Sequence, residues 1–390
     1  MAWAAQTRHR LWGFVLWAFF MAMAEAAPVG GDAAFTTAAE KAVTTIERED
    51  GFSGVILMAR GDKVLLRKAA GFADRERNIL NTPETKFPLE SVTKQFTAAA
   101  IMLLVQDGKI SLGDPISKYY ATSPTSWKDV TIQHLLTHGS GIQDYWVHRP
   151  EALSDNKIFL SLFRSYRDFI RLVSDDPLAF EPGTNMEYSN AGYALLTFVI
   201  ERVSGQSYGD FLRRRIFTPE AMRNTGYGTI PNDAVKGYVR AVTPEFPKGV
   251  WRNGRQWNQA AAGGFGGIYS TLEDMLRWSR ALENDKILSA ASRNAMFTDY
   301  GHNYGFGWQF APKYGRNLIW HTGNDPRAGF ASIFDRFPEE DLTVVAMTNN
   351  TGLTDSKATL IVGGQPLTFQ ANAARKLVEQ VEGLYFGRAS

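Results

Sequence analysis

Cysteine is absent from all 390 residues. That excludes disulfides, a thiol nucleophile, a Cys-type zinc site and a lipid-attached N-terminal cysteine. Long apolar runs are scarce as well, and the one present is N-terminal. It extends from Leu11 to Ala24, after Arg8 and Arg10 and before small residues at Ala24 and Ala26. This is the pattern of a secretory signal peptide, residues 1–26, cut after Ala26. The run falls short of the ~20 residues that span a bilayer, and no later stretch reads as a membrane span. Net charge is also small, +2 over the whole chain, with no basic tract suited to nucleic acid. The 6 histidines are scattered, which gives no metal-ligand cluster. An exported chain without cysteine fits a periplasmic or secreted bacterial protein large enough to be stable without staples. Self-association has no signature in the sequence.

The remaining ~360 residues exceed the size at which one core stops growing, so two closely packed lobes or one large α/β unit are expected. Residues 34–49 form an amphipathic helical pattern. "SGVILMARGDKVLLRKAAGFA" holds two β-rich runs joined at Gly61–Asp62, a hairpin signal. From Ser91 to Leu282 the chain reads as mostly helical, with helices over 95–106, 190–203 and 208–216. Strand-like runs follow at 304–310, 317–323, 330–337 and 342–349, then a helix over 370–384. The expectation is an α/β fold of the α+β type, an antiparallel sheet flanked by helices beside an all-helical lobe. Residues 27–90 and 283–390 supply the sheet region, and 91–282 the helical insertion carrying the candidate site.

Within that frame, "FPLESVTKQFTAAAIMLLVQDGK" sets Lys94 three residues after Ser91. On a helix both side chains face the same way, about 5–6 Å apart at Cβ. They stand at a helix start, where free N–H groups and the helix dipole favour negative charge. The helix behind them is apolar nearly all round and therefore buried, so Lys94 is expected to titrate well below ~10.4. A hydroxyl beside such an amine is an activated nucleophile. Ser-x-x-Lys also arises by chance, and Ser154–Lys157 is a second copy. It opens an ordinary amphipathic stretch and reads as a helix cap.

Two further segments bear chemistry. In "EPGTNMEYSNAGYALL", Ser189 or Asn190 caps a helix, which leaves Tyr188 on the preceding loop, free to enter a cleft. Beside Lys94 its ionisation would be eased. In "NLIWHTGNDPRAGF", His321 ends an apolar strand, and Gly323 would let a ligand lie along the strand edge with the N–H of Asn324 as donor. The plain alternative for His321 is a strand-end histidine of no special role.

Ser91-Val-Thr-Lys94, Tyr188-Ser-Asn190 and His321-Thr-Gly323, in this order, resemble the serine β-lactamase and penicillin-binding protein superfamily. The set is most similar to the class C β-lactamase branch, which includes D-alanyl-D-alanine carboxypeptidases, D-aminopeptidases and carboxylesterases. "LLTHGSGI" (135–142), "GGFGGIYSTLEDMLRWSRAL" (263–282) and "YGFGW" (304–308) are also family-like, with Gly139 in place of the usual threonine. The resemblance implies a β-lactamase/DD-peptidase-like fold with its site between sheet and helical lobe. It implies Ser91 as acyl-accepting nucleophile, Lys94 as its proton partner and Tyr188 as general base and acid. Asn190 would bind the substrate amide, and His321, Gly323 and Asn324 would line the cleft. The N–H groups of Ser91 and Asn324 would form an oxyanion hole. The expected partner is a small acyl substrate (peptide, ester or β-lactam), with no cofactor and no metal.

Departures from the family pattern narrow the substrate. Histidine at 321, where many dedicated β-lactamases carry lysine, offers no permanent cation for a carboxylate. Peptidase or esterase action is therefore favoured over efficient β-lactam hydrolysis. Tyr145, Trp146, Trp251 and Trp257 either shape the cleft or pack long loops, and Arg213–Arg215 read as a solvated helix face. No Gly-x-Ser-x-Gly elbow is present. His134 and His138 have i, i+4 spacing but lack the glutamate of a zinc protease. The rival of another class is a silent relative that binds peptidoglycan fragments.

Overall fold

This computed structural model describes residues 30–145, 165–174, 176–231, 233–243, 246–255, 259–351, 357–362, 365–370 and 373–388. Residues 1–26, expected to be a signal peptide, the second Ser-x-x-Lys copy at Ser154 and Lys157, Trp146 and Trp257 lie outside them. The elements used below are α1 (Asp32–Asp50), β1 (Gly54–Arg60), β2 (Lys63–Ala70), α2 (Thr93–Gln106), α3 (Ile132–Leu136) and α4 (Asn190–Ser204). They continue with α5 (Leu272–Ala281), β3 (Gln309–Lys313), β4 (Arg316–Asp325), β5 (Phe330–Phe337), β6 (Leu342–Thr348) and α6 (Ala373–Tyr385).

β1 and β2 turn at Gly61, whose φ of 56° suits glycine. Together with β3–β6 they make one six-stranded antiparallel sheet in the order β3-β4-β5-β6-β1-β2. β1 and β6, distant in sequence, pair from Gly54↔Thr348 to Arg60↔Leu342. β1 is apolar along most of its length because both faces of the sheet are covered. Successive side chains point to opposite faces. Ile56 and Met58 pack with Phe35, Ile46, Leu377 and Val381 of α1 and α6. Val55, Leu57 and Ala59 join the main core with Phe96 of α2 and Trp278 of α5. The architecture is thus mixed α and β with antiparallel sheets, and none of its described helices is long and apolar enough to cross a membrane.

Three local differences from the sequence expectation have physical causes. Only Gln309 and Phe310 of the run at 304–310 are strand, at the start of Gln309–Lys313. Before it the backbone turns at Gly307, φ 76°, where a Cβ would stand 2.7 Å from the carbonyl oxygen of Lys94. The helix over 208–216 tightens to Tyr208–Leu212 and then widens into a π-type turn at Arg213–Phe217. The stretch 91–282 also contains a hairpin, Tyr238–Thr243 with Phe246–Asn253, so Trp251 belongs to a strand rather than a loop. Its ring packs against the Arg75 guanidinium at 4.9 Å.

Candidate active site

Ser91 lies in a short 3-10 turn, Glu90–Val92, that leads into α2. The turn preserves the i, i+3 relation, and Lys94 Nζ stands 3.1 Å from Ser91 Oγ. Glu90 adopts a left-handed φ of 50°, a conformation non-glycine residues hold only when their surroundings fix them. Those surroundings include β4: a Cβ on Gly323 would lie 2.2 Å from the carbonyl oxygen of Leu89 and 2.7 Å from Glu90 Cβ. Gly323 is therefore required because the strand packs directly on the turn before Ser91, a different reason from room for a ligand along the strand edge.

Lys94 is 0 % exposed. Its Nζ also contacts Asn190 Oδ1 at 2.9 Å and the Phe265 carbonyl oxygen at 3.1 Å. The rings of Tyr188, Tyr193 and Phe265 surround it at 4.8–5.6 Å from their centroids. Burial lowers its pKa to about 7, against the opposing pull of Asp144 and Glu90. The partner set decides what the amine form does. Both carbonyl oxygens can only accept, so they take its two N–H bonds, and the lone pair remains for the hydroxyl of Ser91.

Tyr188 precedes the helix that begins at Asn190, and its hydroxyl hydrogen-bonds Ser91. Contrary to the sequence expectation, its ionisation is not eased. Burial pushes its pKa well above the ordinary phenol value, Asp144 adds to the rise, and the Ser91 bond only partly offsets them. Desolvation wins because the half-buried ring packs against His138, Tyr304 and His321. Asn190 donates from Nδ2 to Asp144 Oδ2 at 3.0 Å, which turns its Oδ1 toward Lys94.

His321, on β4, is 1 % exposed. Its Nδ1 lies 2.7 Å from the Thr322 carbonyl oxygen and its Nε2 3.2 Å from the Tyr304 hydroxyl. A carbonyl only accepts, so Nδ1 carries the hydrogen and Nε2 accepts from Tyr304. Burial, with Lys94 nearby, lowers the pKa to about 3, so the ring is neutral and turned into the protein. β3 ends its pairing at Trp320. From His321 to Asp325, β4 is paired along one side, by β5, and Asn324 is exposed there.

Several residues at the site were not singled out as functional from the sequence. Glu90 is buried, its pKa pushed well above the ordinary carboxylate value by desolvation and by Asp325, and its Oε1 accepts from Gln259 Nε2 at 3.3 Å. Asp144 and His138 both lie in or next to the family-like stretch "LLTHGSGIQD", which was the available signal. Tyr145 is core, edge-on to Phe169 and Phe265. Arg213 and Arg215 pair with Asp210 and Asp107 at the surface.

An antiparallel sheet against a helical region, with a serine and a buried lysine at the head of the central helix, defines the fold class of β-lactamases and penicillin-binding proteins. Residues 39–362 match the Beta-lactamase family model, and the chain belongs to that family. It is similar to penicillin-binding protein 4* of Bacillus subtilis (strain 168), 29% identical over 377 residues, covering 88% of this chain and 80% of that protein. Among solved structures it resembles a penicillin binding protein from Bacillus halodurans, with TM-score 0.69, 30% identity, and 79% and 94% of the two chains covered. It also resembles D-amino acid amidase from Ochrobactrum anthropi SV3 complexed with D-phenylalanine, with TM-score 0.72, 25% identity, and 89% and 98% covered.

Proposed function

We propose that the protein is an exported serine hydrolase that forms an acyl-enzyme on Ser91 and acts as a D-Ala-type peptidase. The observation that carries this reading is the buried Lys94, whose Nζ lies 3.1 Å from Ser91 Oγ with a pKa lowered to about 7. Near neutral pH a sizeable share of Lys94 is amine, with its lone pair directed at the hydroxyl. Export rests on the N-terminal pattern and on the names of the penicillin-binding relatives.

Ser91 Oγ attacks the substrate carbonyl carbon as its proton passes to Lys94. The carbonyl oxygen becomes an oxyanion held by the N–H groups of Ser91 and Asn324. Tyr188, protonated at rest, gives its hydrogen to the leaving nitrogen as the carbonyl–nitrogen bond breaks, and the proton held on Lys94 restores the phenol. Water then attacks the ester and returns Ser91 to its free form. Asn190, one amide hydrogen committed to Asp144, uses the other for the substrate amide. His321 acts indirectly, by fixing Tyr304.

A second reading, a carboxylesterase or weak β-lactamase, draws on the neutral, buried His321. That ring supplies no cation for a substrate carboxylate, so esters without one would be accepted. A non-catalytic relative that binds peptidoglycan fragments is the third. Side-by-side turnover of nitrocefin, a D-Ala-D-Ala peptide and a p-nitrophenyl ester separates these readings. Covalent labelling by a fluorescent penicillin, lost in Ser91→Ala, is expected. An unlabelled protein that turns over none of the three substrates would overturn the hydrolase reading.

A further inference from the structure

His138 follows α3 in the left-handed region, φ 58°, a conformation that costs a histidine roughly 1–2 kcal/mol. Its contacts account for that conformation. Its carbonyl oxygen accepts the N–H of Glu187 at 3.1 Å, and its Nδ1 accepts the N–H of Ser189 at 3.1 Å. One residue thus binds the backbone on both sides of Tyr188. Its ring also lies against the Tyr188 ring, with centroids 4.3 Å apart, and is bounded by Tyr193 and Tyr304 at 5.2 and 4.6 Å. The neighbouring residues extend the seam, since Gly139 and Gly141 accept the N–H groups of Gly183 and Ala179, each at 2.8 Å.

We infer that His138 is a positioning residue for acyl transfer, a clamp that sets the height and direction of the Tyr188 phenol over Ser91 through its Nδ1, its carbonyl and its ring face. The inference rests on the proposed role of Tyr188 as proton carrier. An Nδ1 that accepts requires a neutral ring with its hydrogen on Nε2. Burial, with Lys94 and His321 close by, holds the ring neutral. Nε2 meets no hydrogen-bond partner among the described residues, so the ring's value lies in Nδ1 and the face on Tyr188. The loop carrying the phenol begins no strand and precedes the helix, so without the clamp the hydrogen bonds nearest Tyr188 are the flanking ones at Gly183 and Asn190, and its register over Ser91 rests on those and on side-chain packing.

The test compares His138→Gly, His138→Asn, Tyr188→Phe and the double variant His138→Gly/Tyr188→Phe in the whole protein. Glycine accepts the backbone angle and keeps the carbonyl that holds Glu187, but supplies neither Nδ1 nor ring. Asparagine tolerates the same angle and places Oδ1 near the position of Nδ1. Acylation by the fluorescent penicillin should slow about 100-fold in His138→Gly, the order expected for ~1 Å misplacement, and be restored to within about tenfold in His138→Asn. The double variant should be no slower than Tyr188→Phe alone, because both changes remove one unit. Hydrogen exchange at the amide of residue 189, whose acceptor is Nδ1, should quicken in His138→Gly and not in His138→Asn, while the amide of residue 187 keeps its carbonyl acceptor in both. Parent-like acylation in His138→Gly, multiplicative loss in the double variant, or unchanged exchange would overturn the clamp. If Tyr188→Phe alone acylates normally, the proton-carrier role fails instead, and exchange at 189 still decides whether the His138 side chain holds the loop.

Discussion

Lys94 Nζ and Asn190 Oδ1 stand 2.9 Å apart, and the same asparagine donates to Asp144 from its other end. A carboxylate is thereby linked to the lysine through one amide. The amide fixes the direction of the lysine's hydrogen bonds, and the carboxylate pulls its proton affinity upward against burial.

The pH dependence of acylation should follow Lys94. With a pKa of about 7, the amine form is present above that pH and is lost as pH falls through it. Acylation rate should fall tenfold per pH unit on the acid side and level off above about 8. His321, with a pKa of about 3, stays neutral throughout this range. Rapid-mixing acylation from pH 5 to 9 should therefore give the same acid limb in His321→Gln as in the parent protein. Disappearance of the limb in that variant would assign it to histidine.

Asp144→Asn should move that limb to lower pH. The carboxylate favours the ammonium form of Lys94, so its removal leaves burial less opposed and the amine prevails at lower pH. The plateau rate should also drop, because a neutral amide oxygen accepts from Asn190 more weakly than the carboxylate and orients it less firmly. A limb displaced to higher pH would contradict the electrostatic role of Asp144.

Tyr188→Phe should distinguish leaving groups. A phenol kept protonated by burial contributes as an acid, and a leaving amine needs its proton where p-nitrophenolate does not. Turnover of a D-Ala-D-Ala peptide should fall by about 10²–10⁴, with a much smaller loss on the p-nitrophenyl ester. Equal losses on both substrates would count against the acid role.

Gly323→Ala should damage both stability and rate. The added carbon meets the Leu89 carbonyl oxygen at 2.2 Å and Glu90 Cβ at 2.7 Å, and backbone cannot yield as a flexible side chain does. Urea denaturation should show a loss of about 1–3 kcal/mol, and acylation should slow as the turn holding Ser91 is displaced. Parent-like values for both would mean that the strand and the turn separate easily.

Much of this organisation was legible in the chain. The runs at 330–337 and 342–349 stand in the structure as Phe330–Phe337 and Leu342–Thr348, because short runs dominated by aromatic, aliphatic and β-branched residues favour strands. Ser91 and Lys94 come together because three residues on a helical turn put both on one side. The hairpin from Tyr238 to Asn253 is missed by the sequence, which reads there as loop, since its prolines and glycines resemble loop punctuation. Tyr188 illustrates the limit most clearly. A neighbouring lysine suggests an easier ionisation, but the rings packed against it and Asp144 reverse the sign, and those contacts belong to packing.

Local order sufficed for the apolar helix that buries Lys94, the apolar strands, and the placing of Ser91 and Lys94 on one side of a turn, because these follow from spacing along the chain; Tyr188 and Asn190 are reached through the resemblance of their motif. Packing set the rest: the amine's lone pair toward the hydroxyl, the inward turn of a neutral His321, the contact between Gly323 and the turn at Glu90, and the grip of His138 on both sides of Tyr188. Each of these depends on residues dozens to hundreds of positions apart brought within hydrogen-bonding or van der Waals distance. Desolvation and hydrogen-bond direction act only at such distances, so they exist only once the chain has folded.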